Sequence, residues 1–368
     1  MSALSWVLAA LGRGTDVYLF LVGMMALAGY AQLAGIFDWV AARAVRIAGP
    51  SRWRLFALVY VAGIGTTALF SNDATIVALT PAVIAALRRY DAAPLPYVTA
   101  CALIANAASF LLPISNPSNL LVFAGRMPSL GDWLGLFALP SCVAIAMTFV
   151  LTWWFFRRDL CGSSAHVVAD APAPAPHAVA LLILAAGVVV TTSALRGPLG
   201  AATFGCGVIV LFASAVRSRS GAATIVRGIS WRIVALTAAM FVVVTALDDA
   251  GGFTWSRTVL AWCAHLTAPW SALATGFVVA AASNAINNLP VGLNLGETIP
   301  AMHATTQTSV AALIGVNLGP NATVNGSLAT LLWLGIVRRA NIAISPLGFA
   351  RIGVLVTIPA LVAALVLL

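Results

Sequence analysis

Amide, hydroxyl and carboxyl side chains occur together in four short clusters that interrupt otherwise apolar segments of the chain. The clusters are Ser71, Asn72 and Asp73; Asn116, Ser118 and Asn119; Asn284, Asn287 and Asn288; and Thr323, Asn325 and Ser327. The first two clusters correspond in order to the last two, with one pair in each half. Polar, helix-breaking clusters at corresponding places of two halves are typical of a solute-binding site near the middle of a bilayer. We therefore predict that these side chains line such a site.

Asp73 is the residue in these clusters that can change its charge by binding a proton. A carboxylate at bilayer depth is energetically costly, so it usually has a function. We predict that Asp73 binds and releases a proton whose movement across the membrane is coupled to transport of the solute. The alternative is a purely structural role, in which amides at the tip of the same hairpin donate hydrogen bonds to the carboxylate. Glu297 is the only glutamate, and its position fits a membrane interface as well as a binding site.

Composition is that of a polytopic membrane protein, because 61% of the residues are hydrophobic, 8% are charged and the mean hydropathy is +1.02. The formal charge of +9 comes from arginines clustered between apolar segments, so it indicates membrane orientation rather than nucleic-acid binding. The five cysteines are scattered without C-x-x-C spacing. We predict neither a metal site nor a cofactor.

Six apolar runs are long enough to cross about 30 Å of hydrocarbon as helices, which takes about 20 residues each. They lie near residues 16–36, 133–156, 178–195, 198–216, 232–249 and 347–368. No alternating β pattern occurs, so helices are the predicted spanning elements. The predicted fold class is an all-α polytopic membrane protein, with about eight spans once two interrupted helices are included.

Two further apolar regions, residues 55–87 and 270–302, are interrupted at the first and third clusters. Each arm has about 15 residues and rises about 22 Å, which is too short to cross the bilayer alone. Both sides of the first region carry arginines, at positions 52, 54, 88 and 89, and the positive-inside rule places both of its ends in the cytoplasm. We predict two re-entrant hairpins that enter from opposite faces.

The second and fourth clusters interrupt the longer segments 97–126 and 309–337, which we predict to be broken transmembrane helices. Their second halves are expected to begin at Asn119 and Ser327 and to direct the positive ends of their dipoles at the site. Residues 1–160 then form an N-terminal repeat and residues 178–368 an inverted C-terminal repeat. A proline- and alanine-rich cytoplasmic linker, residues 161–177, joins them.

Three stretches resemble signature sequences of the arsenite permease (ArsB) family within the ion transporter superfamily. They are Phe70 to Pro81, Ser283 to Pro290 and Leu318 to Trp333. The resemblance implies an export permease with inverted repeats that exchanges protons for arsenite or antimonite, alone or with a separate ATPase subunit. Asn106, Asn317 and Asn321 stand where that family usually has aspartate, aspartate and lysine. These three residues are accessory candidates, and their lack of charge leaves Asp73 as the main candidate for proton coupling.

The predicted function is therefore export of arsenite or antimonite across the bacterial inner membrane, with the proton as coupling ion. As(OH)3 is neutral near neutral pH, and amides and hydroxyls without a buried cation suit such a solute. The alternatives are a sodium- or proton-coupled carrier of another small anion or organic acid, an NhaD-type sodium/proton exchanger, which the stretch Pro113 to Asn119 resembles, and a passive channel. An enzyme is not predicted, since the four histidines lack H-E-x-x-H spacing and a chain without lysine lacks the G-x-x-x-x-G-K-[ST] motif of an ATPase.

Overall fold

The computed structural model describes residues 2–88, 90, 92–123, 125–164 and 171–368. Within these residues the protein is helical, apart from an isolated β-bridge between Ser51 and Ser163, which confirms the all-α prediction. The α-helices are α1 (Ala3–Gly12), α2 (Thr15–Leu33), α3 (Ile36–Ala48), α4 (Arg52–Phe70), α5 (Asn72–Ala74), α6 (Thr80–Leu87), α7 (Leu95–Ala107), α8 (Pro117–Phe123), α9 (Leu130–Leu160), α10 (Pro176–Ala194), α11 (Leu199–Arg217), α12 (Arg219–Gly228), α13 (Trp231–Asp249), α14 (Thr254–Ala264), α15 (Trp270–Ile286), α16 (Asn288–Ala301), α17 (Thr306–Leu318), α18 (Leu328–Arg339) and α19 (Pro346–Leu365).

The six apolar runs predicted to cross the bilayer are each a single helix of 19 to 31 residues, namely α2, α9, α10, α11, α13 and α19. A helix of 19 residues is about 28 Å long, which matches the hydrocarbon thickness. Large apolar side chains remain exposed on these helices, among them Ile183 at 67% and Phe212 at 71%. Such a surface is stable when the solvent around it is lipid.

The first hairpin consists of α4 and the segment Asn72–Leu87, which includes a π-helical turn at Thr75–Leu79. Helix α4 has 19 residues and is long enough to cross the bilayer alone, so the prediction of a short first arm starting at Leu55 is wrong. The helix extends through Arg52 and Arg54 because long arginine side chains can reach the headgroups while their backbone stays helical.

The two hairpins turn at one residue each, Ser71 and Asn287. Both residues have positive φ, 102° and 84°, with ψ of 162° and 150°. This conformation costs a non-glycine residue about 1–3 kcal/mol, so the surrounding structure must hold it. The same unusual geometry at corresponding points of the two halves supports a structural repeat.

The second break is shorter than predicted, because Ser283 and Asn284 belong to α15 rather than to the turn. Their side chains remain within the helix by bonding to carbonyls one turn earlier. Ser283 Oγ donates to Val279 O at 2.9 Å, and Asn284 Nδ2 donates to Ala280 O at 2.8 Å. Such back-bonding lets small polar residues occupy a helix interior.

Both predicted broken helices are interrupted. Residues 108–116 separate α7 from α8, and residues 319–327 separate α17 from α18, with short 3-10 turns in each break. The predicted restart at Asn119 is wrong: α8 begins two residues earlier, at Pro117, because proline is preorganised for the first helical position. Ser327 is the N-cap of α18, so that helix begins one residue after the predicted restart.

The order of elements occurs twice along the chain. A spanning helix, a short helix, a hairpin, a broken helix and a second spanning helix make up α2 to α9, and the same order makes up α13 to α19. Helices α10, α11 and α12 lie between the two sets. Arg89 and residues 165–170, which belong to the predicted hairpin flank and linker, lie outside the described residues. The division of the chain at residues 161–177 stays a prediction.

Candidate functional site

Both hairpin turns and both helix breaks meet around one small central cavity. Its polar lining includes residues from all four predicted clusters, namely Asn72, Asp73, Asn116, Asn288 and Ser327. Its apolar lining is Leu21 of α2, Ile233 of α13, and Pro117, Leu289, Leu328 and Ala329 at the starts of α8, α16 and α18. The cavity has a volume of about 20 Å³, which is room for about one water molecule. The structure thus brings five of the predicted residues together.

Two restarted helices begin at the wall of this cavity. Pro117 and Leu328, the first residues of α8 and α18, both line it. Helix N-termini carry unbonded N–H groups and a partial positive charge. The two termini bring the positive ends of their dipoles to the cavity wall without an arginine or lysine side chain. At α8 the first N–H groups are already bonded, because those of Ser118 and Asn119 donate to Asn116 Oδ1 and Asn116 O, both at 3.0 Å. That these termini bind solute stays a prediction.

Asp73 is the ionisable side chain among the described residues of the cavity lining. Its backbone N–H donates to Asn72 Oδ1 at 3.0 Å, and the ion pairs of the described chain all lie elsewhere. Asp73 and Ser71 also line a wider cavity of about 650 Å³, which extends to α12 and α13 and reaches Arg227 of α12. The carboxyl group thus stands between the central cavity and this wider one, on the side where the arginine clusters indicate the cytoplasm.

A third cavity, of about 1200 Å³, lies on the opposite side of the central one, and we call it the vestibule. Among the residues that the structure describes, six charged side chains line it: Arg13, Asp16, Arg126, Asp132, Arg196 and Glu297. Arg13 pairs with Glu297 at 3.5 Å, and Arg196 pairs with Asp132 at 2.7 Å. Glu297 therefore faces a water-accessible mouth and does not reach the central cavity.

An apolar layer separates the vestibule from the central cavity. The vestibule is lined by Val17 of α2, Leu120 of α8 and Leu293 of α16, whereas the central cavity is lined by residues one helical turn away on the same three helices. One turn corresponds to about 5.4 Å. In this conformation the central cavity is closed toward the vestibule and adjoins the wider cavity through Asp73.

Asn119, predicted to bind solute, is instead fully buried in the break of the first broken helix. Its Nδ2 donates to the carbonyls of Ser109, Leu112 and Pro113 at 2.9, 3.2 and 3.2 Å. These are carbonyls that a continuous helix would have satisfied internally. The side chain of Asn119 therefore stabilises the break and does not line the central cavity.

Four residues of the second half fasten its hairpin to its broken helix. Asn284 Nδ2 donates to Gly319 O at 2.8 Å, and Asn284 Oδ1 accepts from Thr323 Oγ1 at 2.7 Å. Asn287 Nδ2 donates to the backbone carbonyl of Asn325 at 3.2 Å. The side chain of Asn325 is exposed. None of these four predicted residues lines the central cavity.

One predicted pair connects the two halves directly. Asn288 Nδ2, at the start of α16, donates to Ser118 Oγ, in the first turn of α8, at 3.3 Å. Both side chains are buried, at 2% and 0% exposure. This hydrogen bond joins the second hairpin to the first broken helix.

The three accessory asparagines form a buried amide network behind the cavity. Asn106 Nδ2 donates to Asn321 Oδ1 at 3.0 Å, and Asn321 Nδ2 donates to Leu103 O at 2.8 Å. Asn317 Oδ1 accepts from Asn116 Nδ2 at 2.7 Å, so the network reaches the cavity through Asn116. The positions where the resembled family has opposite charges, 106 and 321, are therefore in contact, and an amide pair occupies them here.

Some members of the site were missed by sequence reasoning. Ser109 belongs to the amide network and lies three residues after Asn106, a spacing that places two residues on one helix face. Thr330 lies three residues after Ser327 and contacts both Ser327 and Asn106, at 2.8 and 3.5 Å. The apolar wall residues Leu21 and Ile233 carry no signal that distinguishes them from other residues of a spanning helix.

Residues 1–317 match the family model described as Citrate transporter (CitMHS). Arsenical pump membrane proteins of Escherichia coli and Yersinia enterocolitica are 31% and 32% identical to this chain over 344 residues, which is 89% of this chain and 80% of each relative. An uncharacterised transporter of Mycobacterium tuberculosis is 26% identical over 367 residues, covering 94% of this chain and 83% of that protein. The crystal structure of the Alcanivorax borkumensis YdaH transporter, described as having an unusual topology, has a TM-score of 0.54 at 16% identity, covering 98% of this chain and 86% of that chain. That likeness concerns the fold.

Proposed function

This chain belongs to the membrane-transporter family that includes the arsenical pump membrane proteins and is described by the citrate transporter model, and we propose that it exports arsenite or antimonite in exchange for protons. The predicted resemblance to arsenite permeases is thereby confirmed. It is a multi-pass membrane transporter of the arsenical pump type. The substrate, the direction of transport across the inner membrane and the coupling ion are our proposal.

The observation that carries the proposal is the chemistry of the central cavity. Amides of Asn72, Asn116 and Asn288 and the hydroxyl of Ser327 supply donors and acceptors, and no cationic side chain is among the described lining residues. A neutral trihydroxide such as As(OH)3 offers three hydroxyl groups to such a lining. A fully charged anion would lie beside the Asp73 carboxylate without a counter-charge from a side chain.

Solute binding requires the cavity to enlarge, because about 20 Å³ admits about one water molecule. The two hairpin turns and the two helix starts form its walls, so their separation is the movement that would admit a solute. Access from the cytoplasmic side passes Asp73, and access from the vestibule passes the apolar layer. A cycle that opens these two routes in turn is alternating access.

Proton exchange is assigned to Asp73 because it borders both the solute cavity and the wider cytoplasmic-side cavity. A protonated Asp73 carries no charge across the membrane interior, whereas the ionised form favours solvent. Binding of solute on one side and of a proton on the other would then compete at one group. Exchange follows if the walls of the central cavity move only when either the solute or the proton is bound, and not when both or neither are bound.

The test is arsenite uptake into everted membrane vesicles with an imposed pH gradient, comparing wild type with Asp73→Asn. Asp38→Asn, on the exposed face of α3, is the matched control. We expect Asp73→Asn to lose pH-driven accumulation to the level of vesicles without the protein, while arsenite counterflow persists because asparagine keeps the hydrogen-bonding shape. Full pH-driven uptake by Asp73→Asn at normal protein levels would refute the role of Asp73.

A carrier of another small anion is the second candidate, and the family description favours it. The vestibule gives no preference, because Asp16, Asp132 and Glu297 balance the charges of Arg13, Arg126 and Arg196 in its lining. Purified protein in liposomes, offered arsenite, phosphate or citrate against an imposed pH or sodium gradient, separates the candidates. Saturable uptake of citrate or phosphate without arsenite would replace our proposal, and proton release driven by sodium alone would indicate a sodium/proton exchanger.

A further inference from the structure

The second arm of the first hairpin contains a π-helical turn, Thr75–Leu79, which begins two residues after Asp73. The segments on either side of it, α5 and α6, are α-helical. A π-helical turn adds one residue to a turn of the helix, and such turns occur frequently at functional sites. The corresponding arm of the second hairpin, α16, is α-helical throughout. The repeated fold therefore does not require a π-helical turn, and the turn occurs in the arm that carries the carboxyl group.

Two adjacent residues, Thr80 and Pro81, account for this turn. Pro81 lacks an N–H group, and in a regular α-helix its ring would clash with the carbonyl of Val77, four residues earlier. Thr80 donates twice to the carbonyl of Thr75, five residues earlier, from its backbone N–H and from its Oγ1 at 2.9 Å. The side chains of Thr75 and Thr80 are fully buried. The hydroxyl of Thr80 thus stabilises the contact over five residues that defines the turn.

Thr75 also fastens the turn to the rest of the hairpin. Its Oγ1 lies 2.8 Å from the Oγ1 of Thr67, in the last turn of α4, and its N–H donates to Ser71 O at 3.4 Å. Ser71, which has the positive φ, in turn donates its N–H to Thr67 O at 3.1 Å. Thr75 is therefore bonded to the first arm, to the hairpin turn and to Thr80. These bonds fix the tip of the hairpin relative to α6.

The extra residue decides which way the tip faces. Each residue of an α-helix turns about 100° around the axis, so one added residue rotates α5 by about 100° relative to α6. Helix α6 has eight residues, packs against α3 and α7 and buries Val83 and Leu87, whereas α5 has three residues. The short tip is therefore the part that would rotate if the π-helical turn became α-helical. Asp73 would then leave its position between the central cavity and the wider one.

We propose that the π-helical turn, held by Thr75 and Thr80, directs Asp73 toward both cavities, which makes Thr80 a positioning residue for proton exchange. The role of the proton rests on the proposed function. Apart from Asp73, Arg227 of α12 is the charged side chain among the described linings of these two cavities, and the ion pairs of the described chain lie elsewhere. The orientation of Asp73 is therefore set by the backbone beneath it and not by an ion pair.

The first experiment measures where position 73 faces, without using transport. In a chain whose five cysteines are replaced by alanine, Asp73→Cys or Thr224→Cys is labelled by an impermeant maleimide from the cytoplasmic side of everted vesicles. Thr224 of α12 lines the same wider cavity. The double substitution Thr80→Val and Pro81→Ala removes the hydroxyl donor and the proline clash, which together favour the π-helical turn by about a hundredfold or more. It should slow labelling at position 73 by at least about tenfold and leave position 224 unchanged. Equal labelling at position 73 with and without the double substitution would overturn the proposal.

The second experiment measures pH-driven arsenite uptake and arsenite counterflow in the same vesicles, with Asp73 present. The double variant should lose pH-driven accumulation and keep counterflow, and Thr80→Val alone should change both experiments in the same direction by a smaller factor. Thr80→Ser retains the donor and should keep both activities. Loss of counterflow together with pH-driven uptake in Thr80→Val would make Thr80 a merely structural residue and refute its positioning role.

Thr298→Val is the matched control. Thr298 lies on the second arm of the other hairpin, is fully buried, and its hydroxyl bonds to no group of the described protein. This variant should keep pH-driven uptake and counterflow, and a loss of pH-driven uptake equal to that of Thr80→Val would show that any buried hydroxyl has this effect and would refute the assignment. If wild type carries no arsenite, the proposed function fails, and the labelling at position 73 alone decides whether the π-helical turn directs Asp73.

Discussion

Replacing Asn317 by alanine should strongly destabilise the protein. Asn317 is fully buried on α17 and bonds across to the first broken helix. Its Oδ1 accepts from Ser109 Oγ and Asn116 Nδ2, both at 2.7 Å, and its Nδ2 donates to Asn119 Oδ1 at 2.9 Å. One side chain thus joins the C-terminal half to the break of the N-terminal half.

The magnitude follows from what the deletion leaves behind. Interhelical hydrogen bonds in membrane proteins average about 0.6 kcal/mol, so losing the three interhelical bonds of Asn317 costs about 2 kcal/mol as a lower value. Its fourth bond, from Nδ2 to Leu313 O at 3.0 Å, lies within α17. Ser109 keeps a second acceptor, the carbonyl of Asn106 at 2.7 Å. The amide nitrogen of Asn116 and the amide oxygen of Asn119 lose their partners in a buried place, at about 1–3 kcal/mol each, which raises the cost to about 6 kcal/mol. Typical total stabilities are about 5–15 kcal/mol, so the loss is large.

The assay is unfolding of the detergent-solubilised protein by heat and by denaturant, read as the fraction that remains monodisperse. Asn325→Ala is the matched control, because the exposed Asn325 contributes only its backbone carbonyl to the bond with Asn287. We expect the control to lie within about 0.5 kcal/mol of wild type, as surface substitutions usually do. If Asn317→Ala unfolds at the same temperature and denaturant concentration as Asn325→Ala, the amide network does not hold the two halves together.

Two further predictions concern charge. Asn106→Asp and Asn321→Lys should each reduce the yield of folded protein, since an unpaired buried charge costs about 3–5 kcal/mol. The double variant should recover the yield, because the two side chains are 3.0 Å apart and the opposite charges would pair. Additive losses of yield in the double variant would contradict this pairing. Glu297→Gln removes the ion pair with Arg13 at the vestibule mouth, and should increase labelling of Ser327→Cys by an impermeant maleimide from the vestibule side. Exposed ion pairs contribute little, so we expect the labelling rate to rise by no more than about fivefold over that of the protein with Glu297. At high salt the two labelling rates should be equal, because salt screens the pair. A difference in labelling rate that persists at high salt would exclude this ion pair as its cause.

The spanning helices and the interruptions were predictable because lipid imposes simple rules on a chain. Runs of about 20 apolar residues must be helices, and a run that contains several amides and a proline cannot continue as a lipid-facing helix. The exact breaks were less predictable. Ser283 and Asn284 have the composition of a turn, yet carbonyls one turn earlier accept their hydrogens and keep them in α15.

The roles of individual asparagines could not be predicted from their type. Asn119 and Asn288 occur in similar clusters, yet Asn119 satisfies three carbonyls of a broken helix while Asn288 lines the cavity. The difference depends on which face of the helix each occupies and on partners far away in the chain. Asn317, 198 residues from Asn119, is such a partner. Sequence spacing within one cluster contains no information on these contacts.

The neutral amides around the cavity also limit how transport can be coupled to protons. Asn106, Asn317 and Asn321 hold the broken helices together without a charge, so Asp73 is the group at the cavity that can gain or lose a proton. With one such group, our proposal allows one proton for each solute. Exchange of one entering proton for one neutral solute moves one positive charge inward. An inside-negative membrane potential would then drive export even without a pH gradient, whereas exchange for a monovalent anion would move two charges and respond more steeply to voltage.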